Sequence, residues 1–295
     1  MFKDKNNLKA WLYLFPTLLL LGVFVFYPLF NTFIMAFLED YNYLDGSSSG
    51  FGLANFKAIL SYEKFWNAII NTTLIVFISV PLSVVVSLLI AVALNSIKVF
   101  QKFFQIVFFL PYVTNVIAIG MVFSVMFHSN YGLVNEFLSW FGIDAIEWLS
   151  LKGNIWGGRF VIILYGIWSG LAFKILIFMS GLQSIGRQYY QAAKIDATPK
   201  WRVLRRVTVP LLSPMILYVT ITSFIAAFKT YASVVAIVGA GPQAERYGTI
   251  VWFIYRFMGN PEYFGRAAAA ALLLFVVILI FTGVNLYFSK KRVHY

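Results

Sequence analysis

The chain has 295 residues, of which 61% are hydrophobic and only 12% charged, and its mean hydropathy is +0.81. A soluble domain is about 45–50% apolar and about 25% charged, so this composition excludes a water-soluble globule and a disordered chain. The net charge is +12 and cysteine is absent, which excludes disulfides and thiolate metal sites.

A bilayer core of about 30 Å takes about 20 apolar helical residues. Six stretches meet that length, at about 11–37, 68–95, 104–127, 159–182, 211–238 and 267–288. The first holds Pro16 and Pro28, the third Pro111 and the fifth Pro214. Membrane helices tolerate such prolines when neighbours satisfy the freed carbonyls. The first stretch is too long for a signal-peptide core and reads as a retained helix. Residues 38–67 carry the turn-rich run Asp45-Gly46-Ser47-Ser48-Ser49-Gly50. Residues 128–158 carry Leu133, Phe137 and Leu138 at helical spacing, then Trp140 and Trp148, which predicts a short interfacial helix. Residues 183–210 are polar and basic, and residues 239–266 contain Gly239-Ala240-Gly241-Pro242. No soluble domain large enough to bury its own core is visible. The expectation is an all-α, polytopic membrane protein, with one permease-like domain over 1–295 and six transmembrane helices.

Charge sets the orientation, because Lys and Arg accumulate on the cytoplasmic side. One set of segments holds Lys3, Lys5 and Lys9; Lys98 and Lys102; Arg187, Lys194, Lys200, Arg202, Arg205 and Arg206; and Lys290, Lys291 and Arg292. The acids there are Asp4 and Asp196. The opposite loops hold Lys57, Lys64, Lys152, Arg159, Arg246, Arg256 and Arg266 against a majority of acids. Six spans with both termini cytoplasmic fit this asymmetry. The +12 is therefore a topology signal rather than a nucleic-acid footprint.

The 183–210 loop is the most informative stretch. Tyr189, Ala192, Ala193 and Asp196 fall on one side of a short helix. Two alanines there permit close approach by a partner, and Pro199 and Pro210 delimit the elements. A basic loop that only satisfies topology is the plainer alternative.

This loop resembles the EAA loop of permease subunits from binding-protein-dependent ABC importers of the carbohydrate type, such as maltose and glycerol-phosphate permeases. The pattern is met by Ile185, Tyr190, Ala192, Ala193, Ile195, Asp196 and Pro210. Gly186 stands for the family's Pro, Gln191 for Glu and Ala197 for Gly, while Val209 conservatively replaces Leu. The likeness covers nearly the whole chain. Trp11 to Pro16 and Tyr27-Pro28 resemble the family's first span. Gly52 to Phe56, Phe65 to Ala68 and Asn71-Thr72 resemble the approach to its second. Phe108 to Pro111 resembles its third, and Gly239 to Pro242 a turn after its fifth.

The resemblance implies a type I ABC importer permease with Tyr190, Gln191, Ala192, Ala193, Ile195, Asp196, Ala197 and Pro210 in an ATPase-coupling loop. It implies a second homologous permease subunit, two ATPase subunits and an extracellular or periplasmic solute-binding protein as partners, a sugar as solute, and a multi-pass place in the cell membrane. The chain has no Gly-Lys dipeptide and so no Walker A loop. ATP and Mg are expected in partner subunits, with no cofactor held by this chain.

Ionisable and polar groups inside apolar spans mark aqueous paths. Lys174, beside Ser169 and Gly170, either lines a saccharide route or pairs with an acidic group on the solute. Snorkelling or hydrogen bonding to helix carbonyls is the alternative. Lys229, Tyr231, Asn115 and Thr222 complete the candidate path, although helix–helix contacts would account for polar groups of this kind equally well. Tyr165, Trp168 and Phe228 are candidate stacking rings. His128 and His294 are far apart, so no metal site is expected. A stand-alone secondary transporter is the second reading, but the predicted spans hold no Asp or Glu for proton coupling. An integral membrane enzyme would need an acid, base or nucleophile cluster, and none stands out.

Overall fold

The computed structural model describes residues 4–97 and 99–289. Lys3, Lys98, Lys290, Lys291, Arg292 and His294 lie outside the described residues. The described chain is mainly helical. Four helices are long and apolar enough to cross a membrane: Lys9–Phe37, Glu63–Ser96, Ile155–Ser184 and Pro261–Tyr287. Two bent pairs, Gln101–Val113 with Val116–Met126 and Lys200–Leu211 with Ser213–Phe228, bring the number to six if each pair is one span.

The chain gathers into two compact units. The first is Met1–Glu63 with Phe253–Phe275. Its helix α1 comprises Asp4–Leu21, a π-helical turn Gly22–Phe26, and Tyr27–Phe37. Proline lacks an N–H and its ring clashes with the carbonyl one turn back. The wide turn lies just ahead of Pro28, where the Tyr27 N–H reaches the Gly22 carbonyl five residues away. Most of α1 is exposed apolar surface, as expected of a helix in lipid. Its end is pinned: Ala36 is fully buried in a cluster with Ala268, Ala269 and Leu272, where the small alanines let backbones approach.

Asn55, in α2 (Ala54–Leu60), donates to the Ala36 and Leu38 carbonyls at 3.2 and 2.8 Å. It thereby satisfies acceptors that the end of α1 leaves unpaired. The chain then forms a short antiparallel ribbon, β1 (Leu38–Glu39) on β2 (Gly50–Phe51), in the register Leu38↔Phe51. Glu39 accepts from the Ala54 N–H at 2.9 Å. Gly52 faces that carboxylate so closely that a Cβ would lie 2.0 Å from Oε1, so a side chain there would displace the Glu39 carboxylate.

The second unit is Lys64–Trp252 with Val276–Tyr295. Its long elements are α3 (Glu63–Ser96) and α7 (Ile155–Ser184). Between them lie α4 (Gln101–Val113), α5 (Val116–Met126) and the surface helix α6 (Leu133–Ser139). After α7 come α8 (Arg187–Ile195), α9 (Lys200–Leu211, with a π-turn at Leu204–Thr208), α10 (Ser213–Phe228), α11 (Ala232–Val238) and α12 (Pro242–Tyr247). Two further helices, α13 (Ile250–Met258) and α14 (Phe264–Ser289), each contribute to both units.

The core of this unit centres on Val161, Ile162, Val234, Ile237 and Tyr247. α5 and α11 approach closely at Gly120, where a Cβ would meet the Ala236 Cβ at 2.5 Å. The predicted surface helix in 128–158 is α6.

Two predicted spans are interrupted. The stretch 104–127 is not one helix, because α4 and α5 meet at 95°. Asn115 causes the restart, since its side chain accepts from the Ile117 and Ala118 N–H groups at 2.8 and 3.2 Å. The stretch 211–238 is α10 and α11 separated at Lys229–Tyr231. The bend of 70° before α10 falls at Leu212, between Pro210 and Pro214.

Candidate translocation cavity and coupling loop

α3, α4, α7 and α10 enclose a cavity of about 400 Å³, within the range of small-molecule sites. Lys174, Ser169 and Thr222 line it together, as does Tyr165. Asn115, Lys229 and Tyr231 are not among its lining residues. Asn115 caps α5, Lys229 ends α10 and Tyr231 precedes α11. Trp168 lines a different, apolar recess, and Phe228 is buried against Phe281.

Lys174 is 6% exposed. Its Nζ donates to the Gly170 carbonyl at 2.9 Å, which is the carbonyl bonding weighed from the sequence. Gly170 makes room for this, because a Cβ there would sit 2.6 Å from Nζ. The Thr222 hydroxyl donates to the Tyr218 carbonyl at 2.8 Å.

The sequence reading missed Ser79 and Ser83 of α3, which line the cavity together with Ser223 and Thr230. Ser79, Ser83 and Ser87 recur every four residues and are buried. That spacing in an apolar helix was the available signal. Tyr112 and Phe173 form an aromatic wall, their rings stacked at 5.8 Å.

The 183–210 loop is built differently. α8 is short, polar and basic, with Gly186 at its N-cap and Asp196 after its last turn. Tyr189, Gln191, Ala192 and Asp196 are exposed, and Tyr190 and Ala193 half-buried. Ile195 is 85% exposed and Trp201 68%, which is unusual for large apolar residues in a basic loop. The Tyr190 hydroxyl lies 3.3 Å from the Thr208 Oγ1 and ties α8 to α9. Pro210 is half-buried in the last turn of α9. Ala197 sits at φ 46°, in the left-handed region. The Thr198 N–H returns to the Ala193 carbonyl at 2.9 Å, closing the helix end.

A third polar centre joins α3 to α7 and to the segment before α13. Asn71 Oδ1 accepts from Arg159 Nε and Nη2 at 3.1 and 3.0 Å. Asn71 Nδ2 donates to the Arg246 and Gly248 carbonyls at 3.0 and 3.2 Å. Thr72 Oγ1 accepts from the Ile250 N–H at 2.9 Å. The Arg246 guanidinium holds the carbonyls of Ser150, Leu151 and Gly153. Tyr247 packs beside these arginines, and burial pushes its phenol up while they oppose the shift.

The family profile described as binding-protein-dependent transport system inner membrane component matches residues 46–294. The chain belongs to this family. As a member of it, the chain is a multi-pass membrane protein.

It is 30% identical over 295 residues to the arabinooligosaccharides transport system permease protein AraP of Halalkalibacterium halodurans, covering 99% of this chain and 91% of that protein. It is 28% identical to the lactose transport system permease protein LacF of Rhizobium radiobacter, covering 98% and 97%. The sn-glycerol-3-phosphate transport system permease protein UgpA of Agrobacterium fabrum is also 28% identical, with 98% and 97% covered. A crystal structure of a bacterial ABC transporter that imports the acidic polysaccharide alginate contains a chain that superposes with a TM-score of 0.82. That match has 21% identity and covers 97% of this chain and 96% of the other. The family member therefore has the type I importer permease fold.

Proposed function

We propose that this chain forms half of the translocation path of an ATP-driven importer for a sugar or oligosaccharide. An extracellular or periplasmic solute-binding protein delivers the solute, and a second homologous permease completes the path. α8 docks on a separate ATPase subunit, which binds ATP and Mg, and ATPase closure moves the spans. Both termini are cytoplasmic, on the same side as α8. Family membership and permease relatives for several saccharides support this reading.

The observation that carries the coupling claim is the exposed Ala192 and Ile195 on a helix that matches the EAA pattern. A surface with bare apolar groups in a charged loop fits a protein groove rather than water. The test is co-purification of ATPase subunits with the chain after Ala192→Arg and Ala193→Arg. Association and uptake are both expected to be lost, and retention of both would sink the docking claim. The purified chain alone is expected to have no ATPase activity. Uptake that survives ATP depletion and collapses with the ion gradient would favour a stand-alone secondary transporter instead.

A further inference from the structure

We propose that the solute passing through the α3–α4–α7–α10 cavity carries an anionic group, and that Lys174 receives it. This rests on the sugar-permease reading and names the chemical class within it. α4, α7 and α10 contain no Asp or Glu, and α3 none after Glu63 at its start. The Lys174 ammonium has three donors, and the Gly170 carbonyl takes one of them. Among the described residues no carboxylate pairs with it. A buried charge without a counter-charge is costly, so the protein supplies a cation for which the ligand supplies the anion.

The remaining lining fits a saccharide around that acid. The Ser83 hydroxyl hydrogen goes to the Val80 carbonyl at 2.9 Å, and that of Thr222 to Tyr218. Both oxygens keep lone pairs for solute hydroxyls, while Tyr112 and Phe173 offer flat apolar faces. Donor strength is concentrated in Lys174. The ligand class is an acidic saccharide, its charge being a carboxylate, sulfate or phosphate.

The test uses the assembled transporter in proteoliposomes, with binding protein added. The probes are trigalacturonate, a sulfated disaccharide, a sugar phosphate and a neutral trisaccharide. Wild type is expected to import at least one acidic probe in preference to the neutral one. In Lys174→Gln the ratio of KM for that acidic probe to KM for the neutral trisaccharide rises about tenfold or more, as for loss of a charge-assisted hydrogen bond. Lys174→Arg restores most of the ratio. Gly170→Ala, which crowds Nζ, raises it in the same direction and serves where Lys174→Gln does not assemble. Equal loss for both classes in the variants assigns Lys174 a structural role and overturns the inference. Wild-type import of the neutral probe alone also overturns it, while leaving the sugar reading intact. Import of no saccharide at all, by a complex whose ATPase responds to the binding protein, defeats the sugar reading itself.

Discussion

The Asn71 junction and the α8–α9 loop solve opposite problems. At the junction one carboxamide, 1% exposed, bonds Arg159 twice and two backbone carbonyls. Every donor and acceptor of the Asn71 side chain is used within the chain. In the loop, one hydroxyl pair ties α8 to α9 while apolar and basic side chains stand outward. The first region holds this chain together, and the second is left incomplete by it. Buried polar networks are stiff because each lost partner leaves an unsatisfied group. The docking role proposed for α8 calls for a free surface instead.

Mutations can break this comparison. Asn71→Ala is expected to destabilise most, by about 3 kcal/mol or more, because Arg159 and two carbonyls lose their partner together. Thermal unfolding in detergent would show it as a lower Tm. Normal stability with lost uptake would make the junction a transport element and erase the contrast. Ala197→Gly should stabilise by about 1 kcal/mol, since glycine adopts positive φ without the Cβ penalty. An unchanged Tm there would mean that Ala197 leaves the left-handed region in solution.

Tyr190→Phe should cost about 0.5–1.5 kcal/mol and weaken ATPase co-purification by loosening α8. Gly186→Pro should be tolerated or stabilise by about 0.4–1 kcal/mol. Gly186 already has φ −57°, Ile185 before it is extended, and among the described residues its N–H makes no backbone hydrogen bond. Tyr247→Phe should change stability least, within about 0.5 kcal/mol, because the buried hydroxyl has no hydrogen-bond partner among the described residues. A large loss would reveal a water-mediated bond that ties Tyr247 to the two arginines.

The long helices were legible because twenty or more apolar residues leave few alternatives. The loop motif was legible because its small, polar and proline positions are local. The break at Asn115 was overlooked although Thr114-Asn115 ahead of an apolar run is an N-cap signal. Hydropathy carried the prediction straight through it. Cavity membership was only partly legible. Lys174, Ser169 and Thr222 meet because α7 packs on α3 and α10, whereas Asn115 spends its side chain on its own helix. Whether a polar residue faces a cavity depends on neighbours remote in sequence, and helical spacing alone does not supply them.

The right-angled turn between α4 and α5 bears on how the subunit is handled before assembly. Thr114 and Asn115 are exposed in the single chain, at two helix ends whose backbone groups exceed what Asn115 can cap. Hydrocarbon cannot satisfy such groups. At hydrocarbon depth such a corner would have to be wetted or covered by another polypeptide. Under the assembly proposed above, a solitary copy would carry a weak seam there, and joint expression with the second permease subunit is the expected route to intact material.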